Sequence, residues 1–220
     1  MRSTNASVDG TWAPAELPVL PDGCRVLHFG SISLLQEPAA SRITDLVAAN
    51  TGRVLTVFDP NVRPSLIADL AAYRERFTRW LALTHLLKLS DEDAALLAPG
   101  IALDQAAAAW LRAGPRAVVI TLGASGAVLY RRGRAGVTVA APRVVVADTI
   151  GAGDTFTAGL SSALLDGGVH TSRQLDELPD AAWRQVMRFA ATAAALNCTR
   201  EGADPPTLAE LQQALANAPE

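Results

Sequence analysis

The sequence is short of the residues that would make it a disulfide scaffold, a metal-cluster protein or a nucleic-acid binder. Only two of its 220 residues are cysteine, Cys24 and Cys198, too few for a disulfide framework, and nothing around them has metal-ligand spacing. The histidines at positions 28, 85 and 170 stand far apart and read as ordinary core or surface residues rather than ligands. The net charge of -3 supplies no basic field for nucleic acid. Arginines are scattered except for Arg131-Arg132-Gly133-Arg134, which reads as a hairpin tip. No apolar run is long enough to span a bilayer, and the first residues carry no leader pattern, so neither membrane insertion nor secretion is expected. A reducing cytoplasm fits this cysteine usage.

What is present is the balance of a packed globular chain, with 50% hydrophobic and 19% charged residues. The length suits one substantial core. Residues 1–23 are polar and broken by Pro14, Pro18 and Pro21, and read as an irregular arm; residues 24–220 read as one domain. Within it, strands are expected at 25–29, 54–58, 86–89, 117–122, 127–130, 136–140 and 144–146. Helices are expected at 38–50, 70–83, from Ser90, at 104–113 with Asp104 as cap, from Thr155 to Gly167-Gly168, at 181–197, and from Thr207 with a capping box. Strands alternating with helices argue an α/β fold whose sheet is mostly parallel and covered on both faces.

The chemistry concentrates in residues 143–165, RVVVADTIGAGDTFTAGLSSALL. A β-branched run leads into a glycine turn and then a helical pattern. Gly151 and Gly153 let the backbone bend and let a ligand approach its amides. The unpaired N–H groups and positive dipole end of a helix start form an anion site, for which phosphate is the natural guest. A carboxylate at the mouth of such a site repels that guest, so Asp154 needs a second job. The job inferred is to orient a hydroxyl and accept its proton as it attacks a terminal phosphoryl group, while the amides of Gly151, Ala152, Gly153 and Asp154 neutralise the spread negative charge. A helix cap would account for one of Asp148 and Asp154, but not for both flanking Gly-Ala-Gly.

Asp148-Thr149-Ile150-Gly151-Ala152-Gly153-Asp154 resembles the D-T-x-G-A-G-D signature of the PfkB (ribokinase-like) sugar kinases. Further stretches resemble the family in the same order: residues 27–31 (LHFGS), 59–64 (DPNVRP), 88–93 (KLSDED), 121–126 (TLGASG) and 199–203 (TREGA). The resemblance implies a three-layer α/β/α fold and transfer of the ATP γ-phosphoryl group to a sugar or sugar-acid hydroxyl. ATP with Mg2+ is the implied cofactor, with K+ near the carbonyls of residues 148, 150, 200 and 202. Lys88, Thr121, Gly123 and Gly126 would border the nucleotide. Asn61 and Arg63, stiffened between Pro60 and Pro64, would meet substrate or phosphate. Ser90 and Asp93 stand where the family often has N-x-x-E, so Asp93 would act on the metal through water, although capping by Ser90 accounts for the same pattern. The implied partners are a sugar and ATP, with no nucleic acid or membrane, and a homodimer is the assembly the resemblance admits. The 59–64 loop is most similar to those of fructokinases and 2-keto-3-deoxygluconate kinases.

The family's N-terminal strands, lid and Gly-Gly-x-x-x-N sugar motif do not precede residue 27, so the chain reads as the nucleotide half of such a kinase: a fragment, a mis-set start or a degenerate protein. A catalytically inactive nucleotide-binding remnant is therefore the alternative to an active kinase. A dinucleotide-binding fingerprint fails at Phe156, where it needs a small residue, and a P-loop fails for want of Lys-Ser/Thr after the glycines.

Overall fold

The computed structural model describes residues 17–217. Its centre is a six-stranded sheet in sequential order: β1 (Val26–Gly30), β2 (Leu55–Asp59), β3 (Leu86–Ser90), β4 (Ala117–Thr121), β5 (Ala127–Arg131) and β6 (Val137–Val139). The first four strands are parallel, and β5 and β6 return antiparallel as a meander. The parallel strands are apolar on both faces because helices cover both. Alternation along each strand divides the core in two. Phe58, Leu87, Leu89, Val118 and Ile120 pack on one face with the helices α1 (Ala39–Asn50), α2 (Leu70–Leu81), α3 (Asp91–Leu97) and α4 (Leu103–Ala113). Leu55, Val57, Leu86, Ala117 and Val119 pack on the other with α5 (Ala152–Asp166), α6 (Ser172–Glu177) and α7 (Asp180–Asn197). An α8 (Leu208–Asn217) lies against α7.

The three layers are those expected. Residues 17–23 carry no helix or strand, and the rest of the expected arm lies outside the described residues. Among the described residues no helix is long and apolar enough to cross a membrane.

Two expectations are corrected. Residues 144–146 form no strand: Val145 is 90% exposed and Val146 58%. Strand preference in β-branched residues is a fit to a pleated, half-buried surface, and here no neighbouring strand supplies one. Among the described residues the segment is tied down at its end, where the amides of Ala147 and Asp148 donate to the Cys198 carbonyl at 2.8 and 3.3 Å. Asp104 does not cap α4; the cap position is Ala102, and the Asp104 carboxylate, inside the first turn, accepts from the Gln105 amide. By contrast Thr207 and Glu210 make the reciprocal capping bonds expected before α8.

Candidate active site

The carboxyl ends of the parallel strands meet the start of α5 at one rim, the place where open α/β sheets hold ligands. Gly30 pairs in register with Asp59, and Ser90 with Thr121. A cleft of about 240 Å³ opens there, lined by His28, Phe29, Gly30, Ser31, Ser33, Asp59, Asn61 and Asp154. Two of its lining residues hold unusual backbone: Ser31 has φ 56° and Asn61 φ 39°. Non-glycine residues in that region cluster at binding sites, where the surrounding fold over-determines them.

Gly151, with φ 77°, turns the chain into α5. The helix proper begins to pay back its amides at Thr155, whose N–H donates to the Gly151 carbonyl at 2.8 Å. Among the described residues, the N–H groups of Gly151, Gly153 and Asp154 find no acceptor in the protein. Ala152 differs from expectation: its amide is spent on the Thr149 carbonyl at 3.2 Å, closing the turn. The open donors are therefore three, at the positive end of a 15-residue helix, with the exposed Asp154 carboxylate beside them.

The turn is held from behind. Asp148 accepts from the amides of Ile150 (3.0 Å) and Gly202 (2.9 Å), and these two donors hold its carboxyl below the usual carboxylate range. The fully buried Asn197, at the end of α7, donates to the Ile150 carbonyl at 2.8 Å and accepts from the Thr155 hydroxyl at 3.3 Å. Sequence reasoning did not single out Asn197. Its signal was a carboxamide on the otherwise apolar face of an alanine-rich helix.

Beneath the first turn of α5 lies a buried charge pair that sequence reasoning also did not join. Lys88 Nζ is 2.9 Å from Asp59 Oδ2, both side chains being 4% exposed, and 3.3 Å from the Gly153 carbonyl. The Thr157 hydroxyl, with one proton to give, lies 2.9 Å from Asp59 Oδ2 and 3.0 Å from the same Gly153 carbonyl. Asp59 Oδ1 is buried without a donor. His28 stands near both acids. Desolvation lowers its pKa, against the upward pull of Asp59 and Asp154, so the ring at the cleft is neutral at pH 7.

The other expected site residues are spread along the rim. Asn61 joins Asp154 in the cleft, whereas Arg63, Thr121, Gly123 and Gly126 do not line it. Arg63 is exposed and makes no ion pair among the described residues. Thr121 ends β4, and Gly123 opens the turn after it with a positive φ of 53°. Asp93 is buried, and its two oxygens accept from the amides of Val62 (2.8 Å) and Ser90 (3.2 Å). It completes the Ser90 capping box and clamps the 59–64 loop to α3. Among the described residues no group of three or more His, Cys, Asp or Glu side chains could hold a metal ion.

The pfkB family carbohydrate kinase pattern matches residues 23–210. The chain belongs to this family. Among pfkB relatives, a fructokinase from Rhizobium leguminosarum bv. trifolii is 41% identical over 170 residues, which are 77% of this chain and 52% of that protein. A fructokinase from Xylella fastidiosa with bound ATP superposes with a TM-score of 0.79 at 26% identity, covering 87% of this chain and 61% of that one. A fructokinase from Vibrio cholerae O395, bound to fructose, ADP and calcium, gives 0.74 at 27% identity, covering 86% of this chain and 59% of that one. The chain thus spans about half to three fifths of the length of these pfkB proteins.

Proposed function

We propose that this chain forms the nucleotide-binding and phosphoryl-transferring part of an ATP-dependent sugar kinase, with a fructose-like ketose as its acceptor. The observation that carries the reading is the run of three unpaired amides at the start of α5 ending at Asp154, a residue that lines the cleft. Asp154 orients the attacking hydroxyl and takes its proton. The amides of Gly151, Gly153 and Asp154 stabilise the charge that spreads over the transferring group. Ser31, Ser33 and Asn61 line the cleft together with Asp154 and offer polar groups to the acceptor. Mg2+ fits as an ion carried in by the nucleotide phosphates, which usually supply much of its coordination, so no all-protein cage is required. Its charge would neutralise the phosphate oxygens.

A coupled assay for ADP release over fructose, ribose and 2-keto-3-deoxygluconate tests the reading. Fructose-dependent release by the native chain, lowered about 100-fold or more in Asp154→Asn with ADP binding retained, is the expected result. Equal release by the variant excludes the role given to Asp154.

The second reading, a nucleotide-binding chain without turnover, is favoured by the exposure of Asp154 to solvent, since proximity is lost where water is not excluded. Titration would then give ADP binding with no release in the assay. Absence of both overturns both readings.

A further inference from the structure

Lys88 is the one lysine among the 19 Lys and Arg residues of the sequence, and it is buried, away from the cleft surface. Its ammonium sits behind the helix start: 3.3 Å from the carbonyl of Gly153, and 3.3 Å from where a β-carbon on that glycine would stand. The peptide that carries this carbonyl carries, at its other end, the N–H of Asp154, one of the three open donors. A cation on the oxygen of a peptide draws electron density from its N–H and strengthens it as a donor. A compact ammonium does this as a point charge, where a guanidinium would need room for its planar fork.

We infer that Lys88 is a positioning residue for phosphoryl transfer, acting through the Gly153–Asp154 peptide to polarise the anion hole, with Asp59 and Thr157 holding the ammonium in place. This rests on the function proposed above. A purely structural tie is a poor account of the same atoms. Burying an ion pair is no sure gain in stability, and here one oxygen of Asp59 is left buried without a donor. What the pair does secure is a positive charge 3.3 Å from the carbonyl oxygen of the peptide whose N–H is one of the open donors, held there by Asp59.

The test compares binding of Mg2+ and ADP alone with binding of Mg2+, ADP and aluminium fluoride, a mimic of the transferring group, by titration calorimetry. The Asp59→Asn/Lys88→Met double variant removes both charges together, so no unpaired carboxylate is left buried. It is expected to melt close to the native chain and to lose about tenfold or more affinity for the fluoroaluminate complex beyond whatever it loses for ADP alone. Native affinity for that complex in the folded double variant overturns the inference while leaving the function intact. A native chain that does not bind the complex overturns the functional reading and the inference with it.

A second measurement needs no variant. Because the chain has one lysine, 13C-lysine labelling yields a single Cε resonance. It is expected to move when aluminium fluoride joins ADP and Mg2+, and a resonance unmoved on formation of the complex overturns the inference.

Discussion

A β-carbon placed on Gly30 would stand 1.8 Å from the carbonyl oxygen of Asp59, its in-register partner on the neighbouring parallel strand. Gly30 also has φ 143°, a conformation L side chains rarely adopt. The two strand ends that form one wall of the cleft can therefore come together only around a glycine. Gly30→Ala is expected to lower stability by about 3 kcal/mol or more, since backbone strain and overlap add. Urea unfolding monitored by circular dichroism measures it; a loss under about 1 kcal/mol would mean that the strands part without cost.

Gly151 is constrained in a second way, at the anion site itself. At φ 77° it is left-handed, and an added β-carbon would lie 2.9 Å from Cβ of Ala203 on the loop after α7. Gly151→Ala should rotate the three open amides out of convergence and weaken ADP binding by about tenfold. Adding Ala203→Gly removes the nearest contact but leaves the 3.2 Å approach to the Cα of residue 203 and the left-handed backbone, so it should restore only part of the affinity. Titration of both variants measures how much of the loss comes from the Ala203 methyl, and full restoration would show that this contact, not the left-handed backbone, matters.

The strands, the covered sheet and the glycine turn were legible in the sequence because each is a local signal: β-branched runs, apolar periodicity, and glycines at a strand-to-helix junction. Residues 144–146 misled because three valines report a preference for a pleated surface without reporting whether one is available. Asp104 misled because an acid one position into a helix and an acid capping it look alike in one dimension. The pairing of Asp59 with Lys88 was hidden for a different reason. Asp59 ends β2 and reads there as a loop acid, Lys88 lies inside β3 and reads as a nucleotide-binding base, and only the pairing of the two strands, with Thr157 arriving from the layer above, joins them. Asn197 likewise becomes a support of the turn only once α7 is laid beside α5.

Removal of the Asn197 carboxamide should loosen the turn it holds. Asn197→Leu leaves the Ile150 carbonyl without its donor and the Thr155 hydroxyl without its acceptor. The expected cost is about 1–3 kcal/mol for the buried Thr155 hydroxyl left unpaired. Hydrogen exchange should speed at residues 150–155 more than in β1 to β4; uniform acceleration over the whole chain would instead mark Asn197 as a general core residue.

Asp148 ties the turn to the loop after α7, and its carboxyl is held below its ordinary value of 3.8 by the amides of Ile150 and Gly202. A carboxylate whose folded pKa is depressed contributes its stabilisation above the unfolded value, and that contribution is lost as pH falls through the folded one. The amide proton resonances of Ile150 and Gly202 are therefore expected to titrate together, with a shared midpoint below 3.8. In Asp148→Asn this shared titration disappears, and because the carboxamide has one acceptor oxygen in place of two, one of the two amides loses protection at neutral pH. Separate midpoints for the two amides would mean that the carboxylate does not bridge the segments.

His85 gives the fold a pH dependence of its own. Its Nδ1 accepts the Thr56 amide at 3.1 Å, which fixes the neutral ring with its proton on Nε2, and burial followed by the Arg116 charge lowers its pKa from 6.5. Because the unfolded chain takes up the proton first, the stabilisation is complete above 6.5 and drains away as pH falls from there through the folded value. His28, lowered in the same direction chiefly by desolvation, adds to the slope. The thermal midpoint should accordingly fall on acidification from pH 7.5 to about 5.5, less steeply in His85→Gln, whose amide oxygen can still accept from Thr56, and least in the His28→Gln/His85→Gln double variant. A slope unchanged by both substitutions would assign the acid sensitivity to the carboxylates instead.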